Sequence, residues 1–287
     1  ELRYRNRHLD LIANPHRIEI FKLRSKIISL LRFNLDKLGY LEVETPILQP
    51  IYGGASAKPF TTYHNKLKQK LYLRIADELY LKRLIIGGIK KVYEISKNFR
   101  NEGMDRNHNP EFTALEFYSS FSDVYEMMDV TEDILKSISK SIDQTIFEFG
   151  NHSIDLSKKF IRKSMFELLN QETGERIELM NKDDLIVFAN KVRLKIEKNM
   201  NYGQLLDIIF GTLIEPKLIQ PTFVTDYPKA ISPLAKISRS GDENIVERFE
   251  LFIGGMEFAN SFSELNDPID QRERLLNQSR LRDLGDE

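Results

Sequence analysis

Residues 92–118, VYEISKNFRNEGMDRNHNPEFTALEFY, gather more reactive side chains at one bend than any other stretch of the chain. Two segments with alternating apolar positions flank a turn that holds Arg100, Glu102, Asp105, Arg106, His108 and Asn109. Alternate residues of a strand share a face, so Phe112, Ala114, Glu116 and Tyr118 line one side and Thr113, Leu115 and Phe117 the other. The same rule sets Arg100 beside Glu102 on the first strand. A hairpin with one solvated polar face is the plainer alternative. Large aromatics among Glu94, Arg100, Glu102 and Glu116 fit that alternative poorly and fit a purine nucleotide well. A ring stacks on the base, a forked cation holds a phosphate, and a carboxylate accepts from an exocyclic amine. His108 and Arg106 are placed to reach more distal phosphates. The chain has neither a GxxxxGKS/T nor a GxGxxG stretch, so a nucleotide bound here is not cradled by glycines.

A second cluster is ERFELFIGGMEFANSFSEL, residues 247–265. If Gly254 and Gly255 form a two-residue turn, Ile253 faces Met256 and Phe252 faces Glu257. Glu250 then shares the face of Glu257, one diagonal step of about 7–8 Å away. Two carboxylates at that spacing suit Mg²⁺ shared with nucleotide phosphates, because the ion keeps waters and takes few protein oxygens. Two surface glutamates on a solvated strand are the alternative.

Several elements must position these clusters. From His16 to Leu38, apolar residues at Ile20, Leu23, Ile27, Leu30, Leu31, Leu35 and Leu38 follow the three-and-four spacing of an amphipathic helix that Gly39 ends. YLEVETPIL follows as a short strand stopped by Pro46. LYLRI is expected as a strand, with a helix from Asp77 to Ile86 closed by Gly87 and Gly88. A helix is expected over about 122–142. Residues about 150–220 turn helical and rich in Lys and Glu, an insertion with no evident chemistry. Strand patterns return after QPTFVTDYP, and Asp267–Glu287 is helical and charged. The polar stretch 1–14 reads as a linker. Consecutive hairpins among helices favour an antiparallel sheet in an α/β or α+β arrangement.

The composition agrees with a folded catalytic or binding domain. Hydrophobic residues make up 41% and charged residues 30% of 287 residues, outside the disordered range. Net charge is −1, so contact with nucleic acid must be local. No apolar run approaches the roughly 18 residues of a membrane span. Cysteine is absent, which removes disulfides and thiolate metal sites and points to the cytoplasm.

FRNEG together with HNPEFTALEFY resembles motif 2 of the class II aminoacyl-tRNA synthetases in the form carried by lysyl-tRNA synthetases. LGYLEVETPIL resembles motif 1, including Pro46. GGASAKPF, LYLRIADELYLKRLIIGG, RFELFIGGMEFANSFSELND and RYRNRHLDL resemble the same family in the same order. The resemblance implies an α+β fold, an antiparallel sheet flanked by helices with a helical insertion at about 150–220. It implies a lysine–tRNA ligase, activating L-lysine with ATP to lysyl-adenylate and transferring it to tRNA(Lys). Arg100 would bind the α-phosphate and the substrate carboxylate, Glu102 the adenine amine, and Phe112 the adenine ring, with His108 and Asn109 placing the triphosphate. Glu78 and Glu264 would take the ε-ammonium with Tyr118 nearby, and Glu116 with the carbonyl of Gly54 the α-ammonium. Asn260 would support the carboxylate, Phe262 would pack on the methylenes, and Glu250 with Glu257 would hold Mg²⁺. Strict alternation puts Asn260, Phe262 and Glu264 opposite Glu257, so a bulge near Ala259 is expected to re-aim them. Motif 1 implies a homodimer.

The family also carries an N-terminal anticodon-binding β-barrel, from which 1–14 would be the linker. It carries a glycine-rich motif 3 with an ATP-contacting arginine, which is not found here, so 15–287 is expected to be an incomplete catalytic domain. A non-catalytic lysine-binding paralogue, and a relative that attaches an amino acid to a protein, remain alternatives.

Overall fold

The computed structural model describes residues 2–55, 57–105, 107–197 and 200–283, with residues 2, 4 and 277–283 described by backbone alone. The chain divides into two compact units, Glu1–Phe121 and Ser122–Glu287.

The first unit starts with two short helices, α1 (Leu2–Arg5) and α2 (Arg7–Ala13), where a polar linker was expected. Asp10 is the cause. Its buried carboxylate accepts from Arg3 Nε at 3.1 Å, Arg7 Nη1 at 3.0 Å and Asn14 Nδ2 at 3.0 Å, and Arg17 lies 3.7 Å away. A buried acid satisfied by several fixed donors holds a polar segment in place as firmly as an apolar anchor would. Helix α3 (Ile18–Lys37) follows the expected periodicity and stops at Gly39, whose φ of +81° suits glycine. Strands β1 (Leu41–Glu42), β2 (Leu48–Gln49), β3 (Thr61–His64) and β4 (Gln69–Leu73) lead to helix α4 (Glu78–Ile86). The hairpin of β5 (Lys91–Phe99) and β6 (Glu111–Ser119) is a continuous antiparallel ladder, with Glu94 opposite Glu116 and Asn98 opposite Phe112. Strand β1 adds to β5 in parallel. Strand β5 ends at Phe99, so Arg100 and Glu102 stand in the loop and not on the strand as expected. Pro110 has no N–H to continue the ladder, and the Asn101 N–H turns away to the carbonyl of Lys58 at 2.7 Å.

The second unit starts with α5 (Val124–Ser141), capped by Asp123, whose carboxylate accepts from the N–H groups of Tyr125 and Glu126. A hairpin of β7 (Ile146–Phe149) and β8 (His152–Asp155) precedes β9 (Ile161–Ser164), α6 (Met165–Thr173), α7 (Lys182–Lys191) and α8 (Tyr202–Leu213). Strands β10 (Thr222–Pro228), β11 (Ile245–Ile253) and β12 (Met256–Phe262) precede α9 (Pro268–Asp283). The sheet order is β12-β11-β10-β9, with β9 parallel to β10 and the other pairs antiparallel. Residues 150–220 are therefore not helical throughout: they supply β8 and β9. Their helices share a core with the sheet, where Leu169, Phe188, Leu206 and Phe210 meet Val224, Val246 and Phe252. The other face packs Phe223, Phe249 and Leu251 under Val124 and Met128 of α5. Mixed but mainly antiparallel ladders with separate helices make the class α+β.

Candidate nucleotide and amino-acid site

In the first unit, the loop after β5 and the start of β6 bring a cation onto a ring. The Arg100 guanidinium lies 5.1 Å from the centroid of Phe112, and its Nε donates to the Ile75 carbonyl at 3.4 Å. The ring thus orients the cation without consuming its outer donors. Glu102 Oε1 accepts from the Lys58 N–H at 3.2 Å, tying the loop to the segment around residues 57–60. The Asp105 carboxylate organises the tip. It accepts from the N–H groups of Asn107 at 2.7 Å and His108 at 2.8 Å, and His108 Nδ1 lies 2.7 Å from its second oxygen. The Asn107 bond, followed by those from His108, holds Asp105 below the usual carboxylate range. His108 and Asn109 are exposed, with Asn109 Nδ2 donating to the Glu111 carbonyl at 2.8 Å. Arg106 lies outside the described residues.

The same unit gathers carboxylates at the start of α4. A Cβ built on Gly54, whose φ is +89°, would stand 3.0 Å from Glu78 Cβ, 3.2 Å from Ala76 Cβ and 3.7 Å from Glu78 Oε2. Gly54 and Glu78 are therefore packed together, and a side chain at 54 would be strained as well as crowded. Glu116 accepts from the Asp77 N–H at 3.4 Å and from the Tyr118 hydroxyl at 3.3 Å. Burial, then the charges of Asp77 and Glu78, push Glu116 up to about 7. Gly54, Glu78, Glu116 and Tyr118 are thus brought around the Ala76–Glu78 segment. Glu94, expected to crowd this group, does not serve it. It is buried, with one oxygen on Arg74 Nη1 at 2.7 Å and the other accepting from the Thr45 hydroxyl at 2.6 Å. Arg74 and Asp77 were not singled out in the sequence, although charges inside the apolar run LYLRIADELYL were a signal that something buried required them.

In the second unit, Gly254 and Gly255 form the turn, and Ile253 faces Met256 while Phe252 faces Glu257. The register then slips: Leu251 faces Ala259 and Glu250 faces Asn260, so Phe258 is the extra residue. The bulge comes one residue before Ala259 and carries Asn260 and Phe262 onto the face of Glu250 and Arg248. Glu250 accepts from the Tyr227 hydroxyl at 2.7 Å and pairs with Arg248 through its other oxygen. Arg248 also donates to Asn260 Oδ1 at 3.2 Å and lies 4.7 Å from the centroid of Tyr227. Glu264 forms a backbone bridge with Ala235. Two further acids come from the stretch expected to lack chemistry. Burial, followed by the charges of Glu250, Asp207 and Glu257, pushes Glu215 up to about 7, and burial raises Asp207 too.

Glu250 and Glu257 carry the hard oxygen donors Mg²⁺ prefers, but both Glu250 oxygens are engaged, by the Tyr227 hydroxyl and by Arg248, so an ion there would have to displace one of them. Among the described residues, no three acidic or histidine side chains converge as a metal cage. An ion held here would take most of its oxygens from waters and phosphates and few from protein.

A family model described as tRNA synthetases class II (D, K and N) matches residues 1–284. The whole chain is 50% identical to a lysine–tRNA ligase of Roseiflexus sp. (strain RS-1), covering 59% of that protein. It is 49% identical to a lysine–tRNA ligase of Aquifex aeolicus (strain VF5), covering 48% of it, and 51% identical to one of Methanoculleus marisnigri, covering 56%. The chain spans about half the length of the curated relatives it matches.

Proposed function

This chain belongs to the class II tRNA synthetases (D, K and N), and from that premise we propose that it is the catalytic region of a lysine–tRNA ligase. It would join L-lysine to ATP as lysyl-adenylate, releasing pyrophosphate, and pass the lysyl group to tRNA(Lys). The observation that carries the choice of lysine is the placing of Glu78 and Glu116 around one short segment, beside Gly54 and Tyr118. Two carboxylates there suit a substrate with two ammonium groups, since an unpaired charge in such surroundings is costly.

Neither step requires a protein nucleophile. The lysine carboxylate itself attacks the α-phosphorus, so the side chains act by placement and charge. Phe112 stacks on adenine and Glu102 accepts from its amine. Arg100, steadied on Phe112, holds the α-phosphate and the attacking carboxylate, and His108 and Asn109 place the triphosphate. Glu116 and the Gly54 carbonyl receive the α-ammonium, and Glu78 the ε-ammonium. In the second unit Glu264, Asn260 and Phe262 keep the roles the resemblance gives them. Glu250 and Glu257 would hold Mg²⁺, which when bound neutralises charge on the phosphates.

The same reading takes a second copy of the chain as partner and the cytoplasm as compartment. On α3, Ile20 and Leu23, three residues apart on one face, are 66% and 40% exposed, an apolar strip that a partner would cover. No helix among the described residues is long and apolar enough to cross a membrane. ATP–pyrophosphate exchange by the full-length protein tests the proposal: exchange driven by lysine and not by aspartate or asparagine is expected, and silence with lysine refutes it.

A further inference from the structure

Beneath the acids at the start of α4 lies a buried guanidinium to which the reaction gives no task. Arg74 is 3% exposed. Its Nε donates to the Lys97 carbonyl at 2.9 Å, and its Nη1 reaches the Thr45 carbonyl at 3.1 Å, the Thr45 hydroxyl at 3.1 Å and Glu94 Oε1 at 2.7 Å. Asp77 Oδ1 lies 3.2 Å from the same Nε. The partners close on one another: Thr45 donates to the second oxygen of Glu94, and Ser96 to the second oxygen of Asp77. The backbone of Arg74 is clamped as well, its N–H on the Ile47 carbonyl and its carbonyl on the Phe99 N–H, each at 2.9 Å.

We propose that Arg74 is the positioning residue of the amino-acid subsite, fixing the Ile75–Glu78 segment and, through it, the places of Glu78 and Glu116. The inference rests on the lysine reading above. The guanidinium ties one residue of a four-residue segment, Asp77, to Thr45 and to Glu94 and Lys97 of β5, and the other side of that segment serves the ligands. The Ile75 carbonyl accepts from Arg100, the Asp77 N–H points at Glu116, and Glu78 is itself one of the acids. A planar fork can hold two carbonyls and two carboxylates at once. An ammonium, a point charge on a flexible stem, cannot span that set. Glu102 is secured separately by the Lys58 N–H, and Arg100 keeps its seat on Phe112 besides its one bond to the Ile75 carbonyl, so loosening Arg74 should be felt by lysine more than by ATP.

The test uses the full-length protein and lysine-dependent ATP–pyrophosphate exchange, with lysine and ATP varied in turn. Arg74→Lys should raise the KM for lysine about tenfold or more, since a misplacement of about 1 Å can cost about a hundredfold. The KM for ATP should move by less than about threefold. Thr45→Val removes one hydroxyl of the network and leaves the ion pairs, so a smaller rise in the same direction is expected. If Arg74→Lys fails to fold, Thr45→Val is judged by the same lysine-against-ATP split. Lysine KM values unchanged in the variants, or equal losses for lysine and ATP, overturn the proposal. A wild-type protein silent with lysine sinks the ligase reading and this inference with it; an active wild type with indifferent variants sinks this inference alone.

Discussion

Lys82 Nζ stands 2.7 Å from Glu78 Oε1, one turn along α4. The carboxylate proposed for the substrate's ammonium thus already holds one of the chain's own, and its other oxygen is the one on the Gly54 side. Glu78→Gln removes the charge and keeps the shape, so the KM for lysine should rise by about thirtyfold, near 2 kcal/mol for a charged hydrogen bond. Lys82→Met should leave that KM within about threefold, because it empties the oxygen away from Gly54. Exchange kinetics with lysine varied measure both.

Glu116 makes the lysine site sensitive to pH. Its pKa in the folded protein, about 7, lies above the usual carboxylate value because it is buried beside Asp77 and Glu78. A raised folded pKa means the folded state holds the proton more tightly. Its contribution to stability is therefore full below the unfolded pKa and lost as pH rises through about 7. Lysine needs the ionised form, so the KM for lysine should climb as pH falls below 7, by up to about tenfold per unit. Glu116→Gln should bind lysine weakly and flatten that slope. A slope unchanged in the variant would remove Glu116 from the α-ammonium.

Arg100→Ala takes away the cation steadied on Phe112. Loss of a preorganised charge at a reacting phosphate costs about 3 kcal/mol, so kcat/KM for adenylate formation should fall by a hundredfold or more. Arg100→Lys should recover little, lacking the planar fork. Circular dichroism should match the parent, since the residue stands in a loop. Retained activity in Arg100→Ala would remove it from its role.

The apolar face of α3 gives a prediction about assembly. Ile20→Glu puts a charge where a second copy is proposed to pack, and a buried unpaired charge is strongly unfavourable. Sedimentation should show a dimer for the parent and a monomer for the variant. A parent that sediments as a monomer would end the dimer proposal.

How much could be seen in advance depended on sequence distance. The two hairpins were legible because a two-residue period and a Gly-Gly turn leave few possible registers; the pairing of Phe252 with Glu257 needs nothing beyond Gly254 and Gly255. Helix α3 was legible for the same local reason. The Arg74 network was not, since Thr45 on one side and Glu94 and Lys97 of β5 on the other meet it from separate segments, and none of them carries a local sign of the contact. Asp207 and Glu215 reach the neighbourhood of Glu250 only through the packing of α8 on the sheet, a tertiary fact with no local signature. Strand β9 was missed because four residues in parallel pairing leave no period to detect. Helix α2 was taken for a linker because its one buried anchor, Asp10, is polar.

Phe258 is 55% exposed and has no residue opposite it, yet it bends β12 between Glu257 and Ala259. Excising it would close the bulge and leave Ala259 opposite Leu251 and Asn260 opposite Glu250, so the faces would be kept and only the strand's local bend and extra twist would be lost. An exposed aromatic therefore sets the curvature of the ribbon and not its pairing: exchange for another residue should leave the bend in place, and omission should flatten it without turning Asn260 away from Glu250.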